Sequence, residues 1–332
     1  MNYKGFLFVF LGFLVACSLP KGTARLSGDF ENLGNEAVYL YTEDGVFEGV
    51  DTLRMESGKF KKDFSLGGEP VLVTMLFPNF SRRYIILTSG EEVTISGDAN
   101  SLMQAEVVGT EENEALTAFR KNYLEKPESE QRLAAVKFIE DHPSSLASLA
   151  LFRTYFVDIP TTDAPQARRL LKTMEKNLKH IPAYRMTAQL MQHQLRTAVG
   201  EPLPAFSATT LDGRSLTQAD FKGQPLVVMC VGMWNPDSRA YLSRLRELQR
   251  TVPKVRYLLV SFDLEAHQIA DFLRRDSIAV PTLFDGRSLH SPLYETFGVR
   301  MVPEVFLVNS QGRITARDLR EDQLQRAVEG LK

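Results

Sequence analysis

The sequence contains few cysteines and no excess of basic charge. Among its 332 residues only Cys17 and Cys230 carry a thiol, which excludes a disulfide-rich framework and a cysteine-based structural zinc site. The formal net charge is −2, so no positive excess is available to follow a phosphate backbone, and no nucleic-acid partner is expected. Hydrophobic and charged fractions of 44% and 24% are typical of globular domains. At this length two or three domains are expected.

A membrane-spanning segment is not predicted. The apolar run from Phe6 to Ala16 is eleven residues long, whereas a helix that crosses a bilayer needs about 20. Lys4 precedes the run, and a charged start followed by a short apolar core is typical of a secretory signal. We therefore predict that residues 1–16 are a signal peptide.

The end of this run, Leu14-Val15-Ala16-Cys17, resembles the lipobox of bacterial lipoproteins. The resemblance implies cleavage before Cys17, lipidation of its thiol and amine, and a lipidated tether over residues 17–23. Several acyl chains would then anchor the protein to the membrane where one would not suffice. Ordinary secretion with a free Cys17 is the alternative. By analogy with lipoprotein sorting, Ser18 and the lack of an acidic run before Asp29 favour the outer membrane of a bacterial cell envelope, facing the periplasm, and leave export to the cell surface open.

Glycine is absent from residues 110–199, although eleven glycines lie between Gly22 and Gly109. Glycine marks turns and is disfavoured inside helices, so the pattern predicts a multidomain fold. Its parts are an antiparallel β domain over residues 24–110, a helical region over 111–199 and an α/β domain over 200–332.

The first of these regions alternates short β-prone runs with turn residues, which predicts a small antiparallel sandwich or barrel. Asp51-Thr52-Leu53 and Gly58-Lys59-Phe60 stand at hairpin spacing. Residues 24–119 resemble the DUF4369 domain of many Bacteroidetes lipoproteins, through Gly28-Asp29-Phe30, Asp51-Thr52, Gly58-Lys59-Phe60, Gly90-Glu91-Glu92 and Gly109-Thr110-Glu111-Glu112-Asn113. No cluster of histidine, cysteine or paired carboxylates occurs here, so we expect a structural or binding module.

The middle region has helix signals and no recognisable ligand set. Asp163, followed closely by Pro165, is typical of a helix start. His142, His180 and His193 have a spacing that fits no metal-binding motif. Neither a metal nor a cofactor is therefore expected.

The third region alternates predicted strands and helices. Residues 226–233 are a continuous apolar run, which predicts a strand buried on both faces. A helix is predicted to follow over residues 239–249. The remaining predicted elements are strands at 255–262, 305–308 and 313–316 and helices at 265–275 and 321–331.

This order of elements resembles the thioredoxin fold, and more closely its TlpA-like and AhpC/TSA branch. The residues that carry the resemblance are Pro204-Ala205-Phe206, Leu211-Asp212-Gly213, Leu216 to Gly223, Trp234 and Phe297-Gly298-Val299-Arg300-Met301-Val302-Pro303. The resemblance implies a C-terminal α/β thioredoxin fold and a cis peptide bond between Val302 and Pro303. It also implies that an extended peptide can bind beside that proline.

The Trp-Cys-x-x-Cys motif of that family is missing, because this chain reads Trp234-Asn235-Pro236-Asp237-Ser238. Disulfide exchange needs one thiolate that attacks and a second thiol that resolves, and neither an amide nor a serine hydroxyl provides these. We therefore interpret these five residues and Pro303 as a pseudo-active site in which no catalytic residue is expected. A favoured N-cap residue, Asn235, and a favoured first helical residue, Pro236, still predict a helix start here.

The domain contains two other candidate nucleophiles, Cys230 and Ser238. Cys230 lies inside the apolar run, where burial raises the pKa of a thiol and blocks access to it, so a core position is expected. Ser238 would need a base and an orienting group, and nothing in the sequence pairs His267 or His290 with it.

Two functions follow from these patterns. We expect an envelope lipoprotein, anchored to the membrane by lipid, whose redox-inactive thioredoxin-like domain binds a peptide or an envelope protein. The alternative is a thiol–disulfide oxidoreductase or related antioxidant enzyme of the TlpA-like/AhpC-TSA family. It would act in periplasmic redox homeostasis through Cys230 or a partner's cysteines. The missing motif favours the first function.

Overall fold

A computed structural model describes residues 19–159 and 163–331. The signal peptide and the lipobox predicted up to Cys17 lie outside the described residues. The chain divides into two compact units, one of residues 19–151 with 177–184, the other of residues 152–159, 163–176 and 185–331. The helical middle of the chain thus contributes to both units.

The β-rich part of the first unit consists of two sheets that share one core. Its strands are β1 (Thr23–Glu31), β2 (Ala37–Tyr41), β3 (Asp51–Arg54), β4 (Lys59–Ser65), β5 (Val71–Leu76), β6 (Arg82–Leu87), β7 (Glu92–Asp98) and β8 (Glu106–Val108). One sheet has the order β4-β1-β7-β8 and the other β3-β2-β5-β6. Burial alternates along most of β1, as in a strand with one face in the core. Leu26, Val38, Val73 and Ile95 from both sheets meet in that core.

Two details of this region differ from the sequence-based picture. The strands β1 and β7 are parallel, because the chain passes through the second sheet between them and no hairpin fixes their direction. The hairpin predicted from residues 51–53 and 58–60 is wrong, since β3 pairs with β2 while β4 pairs with β1. Gly58 instead permits a close backbone approach: a Cβ there would lie 2.1 Å from the carbonyl oxygen of Phe30.

Helices follow the β-rich region, as predicted. They are α1 (Glu111–Tyr123), α2 (Glu128–Asp141), α3 (Leu146–Phe152), α4 (Ala164–Leu178) and α5 (Pro182–Leu195). A π-helical turn at Arg153–Val157 extends α3. The side chain of Asp163 accepts a hydrogen bond from the amide of Gln166 at 3.0 Å, which confirms Asp163 as a helix start.

The C-terminal part of the second unit is an α/β sheet with helices packed against it. Its elements are β9 (Ser207–Thr209), β10 (Ser215–Thr217), β11 (Leu226–Val231), α6 (Asp237–Thr251), β12 (Arg256–Ser261), α7 (Ala266–Arg275), β13 (Thr282–Leu283), α8 (Pro292–Thr296), β14 (Glu304–Val308), β15 (Ile314–Arg317) and α9 (Glu321–Glu329). The main sheet has the order β13-β12-β11-β14-β15. Every residue of β11 is buried, which confirms the predicted central strand, and apolar clusters cover both faces of the sheet.

This topology gathers three segments at one edge of the sheet. The parallel strands β11 and β12 both end there, and β14, which is antiparallel to β11, begins there. The loop of residues 232–236, the end of β12 and the turn before β14 are therefore neighbours. Within the described residues no helix is both long and apolar enough to cross a membrane.

Candidate functional site

The side chain of Asn235 connects the start of α6 to the turn before β14. Its Oδ1 accepts a hydrogen bond from the amide of Asp237 at 2.9 Å, and its Nδ2 donates to the carbonyl oxygen of Val302 at 2.5 Å. The helix begins at Asp237, two residues before the predicted range of 239–249 and one residue after the predicted first helical residue, Pro236, which is in helical torsion at the cap position. Asn235 nevertheless satisfies an amide that the helix leaves without an internal partner. Both polar ends of its amide are thus engaged within the protein.

The peptide bond between Val302 and Pro303 is cis, as predicted from the resemblance. The carbonyl oxygen of Val302, the residue before this proline, accepts the hydrogen bond from Asn235. The cis-proline turn and the helix start are bonded directly to each other by a side chain.

Trp234 is fixed at one point and exposed elsewhere. Its indole Nε1 donates to the carbonyl oxygen of Phe262 at 2.9 Å, while 49% of the residue is exposed. The ring lies against Gly232, where a Cβ would stand 2.4 Å from Nε1. A glycine at position 232 is therefore needed for the indole to occupy this place.

Ser238 faces inward. The residue is fully buried, and its Oγ accepts a hydrogen bond from the amide of Gly232 at 3.1 Å. The hydroxyl thus ties the first turn of α6 back to the end of β11 and is covered by protein.

Asp263, which follows β12, is bonded to the loop of residues 232–236. The residue is buried; its Oδ1 accepts from the amide of Met233 at 2.6 Å and its Oδ2 from the hydroxyl of Ser261 at 2.8 Å. Burial raises the pKa of this carboxyl. Sequence reasoning missed Asp263; the only signal was an acidic residue immediately after an apolar strand.

Cys230 lies in the core, as predicted. It is fully buried on β11, between Val260 of β12 and Glu304 of β14. Burial, and then the negative charge of Glu304, raise the pKa of the thiol well above its usual value. The residue therefore lacks both the thiolate and the access that disulfide exchange needs.

A buried group of charged residues lies next to the cis-proline turn. The Glu304 carboxylate accepts from the amide of Arg300 at 2.9 Å and from the guanidinium of Arg317 at 3.1 Å. Arg317 also donates to the carbonyl and hydroxyl oxygens of Thr197, at 3.1 and 3.0 Å. Burial and the neighbouring Asp318 raise the pKa of Glu304 to about 7, although Arg317 opposes this. Sequence reasoning missed this group, since its members are far apart in the chain.

The site as a whole is well bonded internally, and positions 235 and 238 at the start of α6 carry no thiol. Within residues 19–159 and 163–331, no group of three histidine, cysteine, aspartate or glutamate side chains is placed to hold a metal ion. The pseudo-active-site residues predicted from the sequence do come together at one edge of the sheet, with Pro303 opposite the start of α6. The side chains of Trp234, Asn235 and Ser238 bond to backbone groups, whereas Asp237 is exposed.

Comparisons with known proteins find two segments of the chain that match family models. Residues 199–317 match the model of the AhpC/TSA family, and residues 24–116 match the domain of unknown function DUF4369. A curated relative, thiol-disulfide oxidoreductase ResA of Bacillus thuringiensis subsp. konkukian, is 22% identical over 133 residues, which cover 40% of this chain and 75% of ResA.

Two solved structures give similar matches. A C-terminal domain assigned to a thiol-disulfide oxidoreductase of Bacteroides thetaiotaomicron is 25% identical, with a TM-score of 0.37, and the match covers 41% of this chain and 97% of that one. The thioredoxin domain of a thiol-disulfide oxidoreductase from Bacteroides vulgatus is 23% identical, with a TM-score of 0.37, over 40% and 96% of the two chains.

Residues 24–116 thus match DUF4369, and residues 199–317 form a thioredoxin-like domain that matches the AhpC/TSA family and is similar to a thiol–disulfide oxidoreductase.

Proposed function

We propose that this protein is an envelope lipoprotein whose thioredoxin-like domain binds a peptide or protein partner and does not exchange disulfides. The observation that carries the proposal is the state of the two positions where the family has cysteines. The amide of Asn235 is bonded on both sides, and the hydroxyl of Ser238 is buried. The remaining thiol of the domain, Cys230, is fully buried.

Exposed apolar side chains support binding at this edge of the sheet. Trp234, Leu264 and Met301 are 49%, 63% and 62% exposed. Hydrogen bonds connect the segments that carry these residues. The indole of Trp234 is bonded to the carbonyl oxygen of Phe262, two residues before Leu264. Met301 precedes Val302, whose carbonyl oxygen is bonded to Asn235 in the loop of residues 232–236. Grouped exposure of large apolar side chains is typical of interaction sites.

Partner binding can be tested by crosslinking and capture from the envelope of the source bacterium. We expect the double variant Trp234→Ala, Met301→Ala to lose most of the captured partner. The matched control is Val50→Ala, Leu133→Ala, which removes two other exposed apolar side chains, 62% and 67% exposed. Equal capture by both double variants would contradict binding at this edge.

Dithiol chemistry can be tested by insulin reduction in the presence of dithiothreitol. We expect no turnover above buffer for the unaltered protein. Asn235→Cys, Ser238→Cys should form a disulfide and gain activity, because a low-pKa thiol at a helix start is what the chemistry needs. The single variant Asn235→Cys is the control, since it can attack but has no resolving thiol.

The lipobox that ends at Cys17 supports membrane anchoring, and with it a location at the outer membrane facing the periplasm. Cys17→Ala should leave the precursor uncleaved and without acyl label in cells fed a palmitate analogue, whereas Cys230→Ala should keep the label. Equal labelling of Cys17→Ala and the unaltered protein would contradict the anchor.

A second candidate function is thiol–disulfide exchange through Cys230 or a partner's cysteines. The comparisons favour this candidate more directly than they favour a redox-inactive binder, because the named relatives are thiol–disulfide oxidoreductases. Turnover of insulin by the unaltered protein that Cys230→Ser abolishes would establish it and overturn the first proposal.

A further inference from the structure

A wide cleft lies at the opposite end of α6 from the pseudo-active site. It has a volume of about 780 Å³ and is lined by the C-terminal half of α6, the end of α7 with the loop that follows it, and Gln325 of α9. Its charged lining consists of Arg244, Arg246, Arg250, Arg275, Glu247 and Asp276. Because α6 has 15 residues, the helix spans about 22 Å, so this cleft is separate from the site described above.

Two of the four arginines are already paired with carboxylates. Arg244 bonds Glu321 at 2.7 Å and also contacts Glu247, and Arg275 bonds Asp276 at 3.1 Å. Each acidic residue of the lining thus has an arginine partner, and Arg244 is shared between Glu247 and Glu321, so three carboxylates face the four guanidinium groups. The guanidinium groups without a carboxylate partner are those of the other two arginines.

Arg246 and Arg250 are exposed and, within the described part of the chain, have no carboxylate within ion-pair distance. They stand four residues apart on α6, where like charges repel each other and destabilise a helix. The negative end of the helix dipole stabilises a cation at Arg250, which lies in the last turn. It does not stabilise a cation at Arg246, because the effect of the dipole falls off within that turn.

We propose that this cleft is a binding site for a ligand with phosphate groups. A guanidinium offers a planar fork of donors that matches phosphate oxygens. Two unpaired forks one helical turn apart suit a ligand with two phosphoryl groups, or a phosphate with a second anionic group beside it. The volume lies within the range of ligand sites. The site is independent of partner binding near Trp234.

Calorimetric titration of the full chain, in a detergent with a neutral head group, tests this site with three probes. Pyrophosphate represents a soluble phosphate ligand and dihexanoyl-phosphatidylglycerol a lipid head group, while dihexanoyl-phosphatidylcholine is the zwitterionic control. We expect one or both anionic probes to bind, with affinity that falls as salt rises. Pyrophosphate binding assigns a soluble ligand, and binding of phosphatidylglycerol alone assigns a lipid head group.

The variants identify the residues responsible. Arg246→Gln, Arg250→Gln should lower the affinity at least about tenfold, as expected when charged hydrogen bonds are lost. The variant Arg246→Lys, Arg250→Lys keeps the charge but lacks the planar guanidinium groups, so its affinity should lie between those of the unaltered protein and the glutamine variant. Arg54→Gln, Arg82→Gln removes two exposed arginines of the β-rich domain and should bind as the unaltered protein does. Failure of both anionic probes to bind, or full affinity in Arg246→Gln, Arg250→Gln, would overturn the proposal.

Discussion

The two ends of helix α6 are arranged in opposite ways. At its start the polar side chains are bonded inside the protein: Asn235 to Asp237 and Val302, and Ser238 to Gly232. Near its end, Arg246 and Arg250 line an open cleft. The family's dithiol motif belongs at the first end, and there this chain has replaced reactive groups by bonded ones. Polar groups available to a small ligand are found at the other end.

This difference has a structural cause. The start of α6 faces the cis-proline turn and the end of β12, and it is held by Asp263 through Met233 and by the indole of Trp234. The end of α6 packs on β12, where the hydroxyl of Tyr257 donates to the carbonyl oxygen of Leu248 at 3.1 Å, and Gln249 is bonded to Ala279, which follows α7, at 3.0 Å. We therefore expect substitutions at the first end to change stability and substitutions at the second to change binding.

The largest loss of stability is expected from Arg317→Met, which breaks the buried charged group beside the cis-proline turn. The substitution leaves the buried Glu304 without its main cationic partner, and removal of one partner from a buried ion pair costs about 3–5 kcal/mol. Urea unfolding followed by the fluorescence of Trp234, the only tryptophan in the chain, reports on this domain. The control Arg239→Met alters an exposed arginine of α6 and should stay within about 0.5 kcal/mol. Equal, small effects would mean that the buried group does not support the turn.

A pH-dependent loss of stability is expected from Glu304 itself. Its pKa is raised from 4.5 to about 7 in the folded protein, so between these values the folded state holds a proton that the unfolded state releases. This group therefore lowers the free energy of unfolding as the pH rises from 4.5 to 7. The same unfolding experiment across this range should give a flatter profile for Glu304→Gln. The control Glu329→Gln, at an exposed residue, should keep the original slope; an unchanged slope in Glu304→Gln would contradict the prediction.

Local patterns in the sequence predicted most of the fold and part of the site. Three features depend only on neighbouring residues in the chain and were predicted: the buried strand β11, the helix start at Asp163 and the core position of Cys230. The hairpin of residues 51–60 was wrong because turn residues do not reveal which sheet a strand joins.

The contacts of Glu304 and Asp263 around the site could not be predicted from the sequence. Arg317 bonds both Glu304 and Thr197 only after three distant segments fold together. Asp263 reaches Met233 because two parallel strands end at one edge. The spacing of these residues in the sequence does not indicate that they lie close together. The only indication of these contacts was a charged residue within or directly after an apolar strand.

A smaller loss is expected from Asn235→Ala, which removes the connection between the helix start and the cis-proline turn. Two hydrogen bonds are lost, and a typical bond contributes about 0.5–1.5 kcal/mol, so we expect a loss of about 1–3 kcal/mol in the free energy of unfolding. Asn235→Asp keeps the acceptor toward Asp237 but replaces the donor that bonds the carbonyl of Val302. If the bond to Val302 matters most, Asn235→Asp should be at least as unstable as Asn235→Ala. A fully stable Asn235→Asp would assign the contribution to the cap alone.

The smallest effects are expected at the other end of the helix, and their signs differ between two neighbouring arginines. Arg246→Gln removes a like-charge contact with Arg250 and should raise the free energy of unfolding by about 0.2–0.5 kcal/mol. Arg250→Gln removes the same repulsion but also a cation in the last turn, whose interaction with the helix dipole is worth about 0.3–1 kcal/mol, so it should be neutral or slightly destabilising. Added salt should reduce both differences. A loss above about 1 kcal/mol for Arg246→Gln would mean that this guanidinium is bonded within the fold, and the contrast between the two ends of α6 would fail.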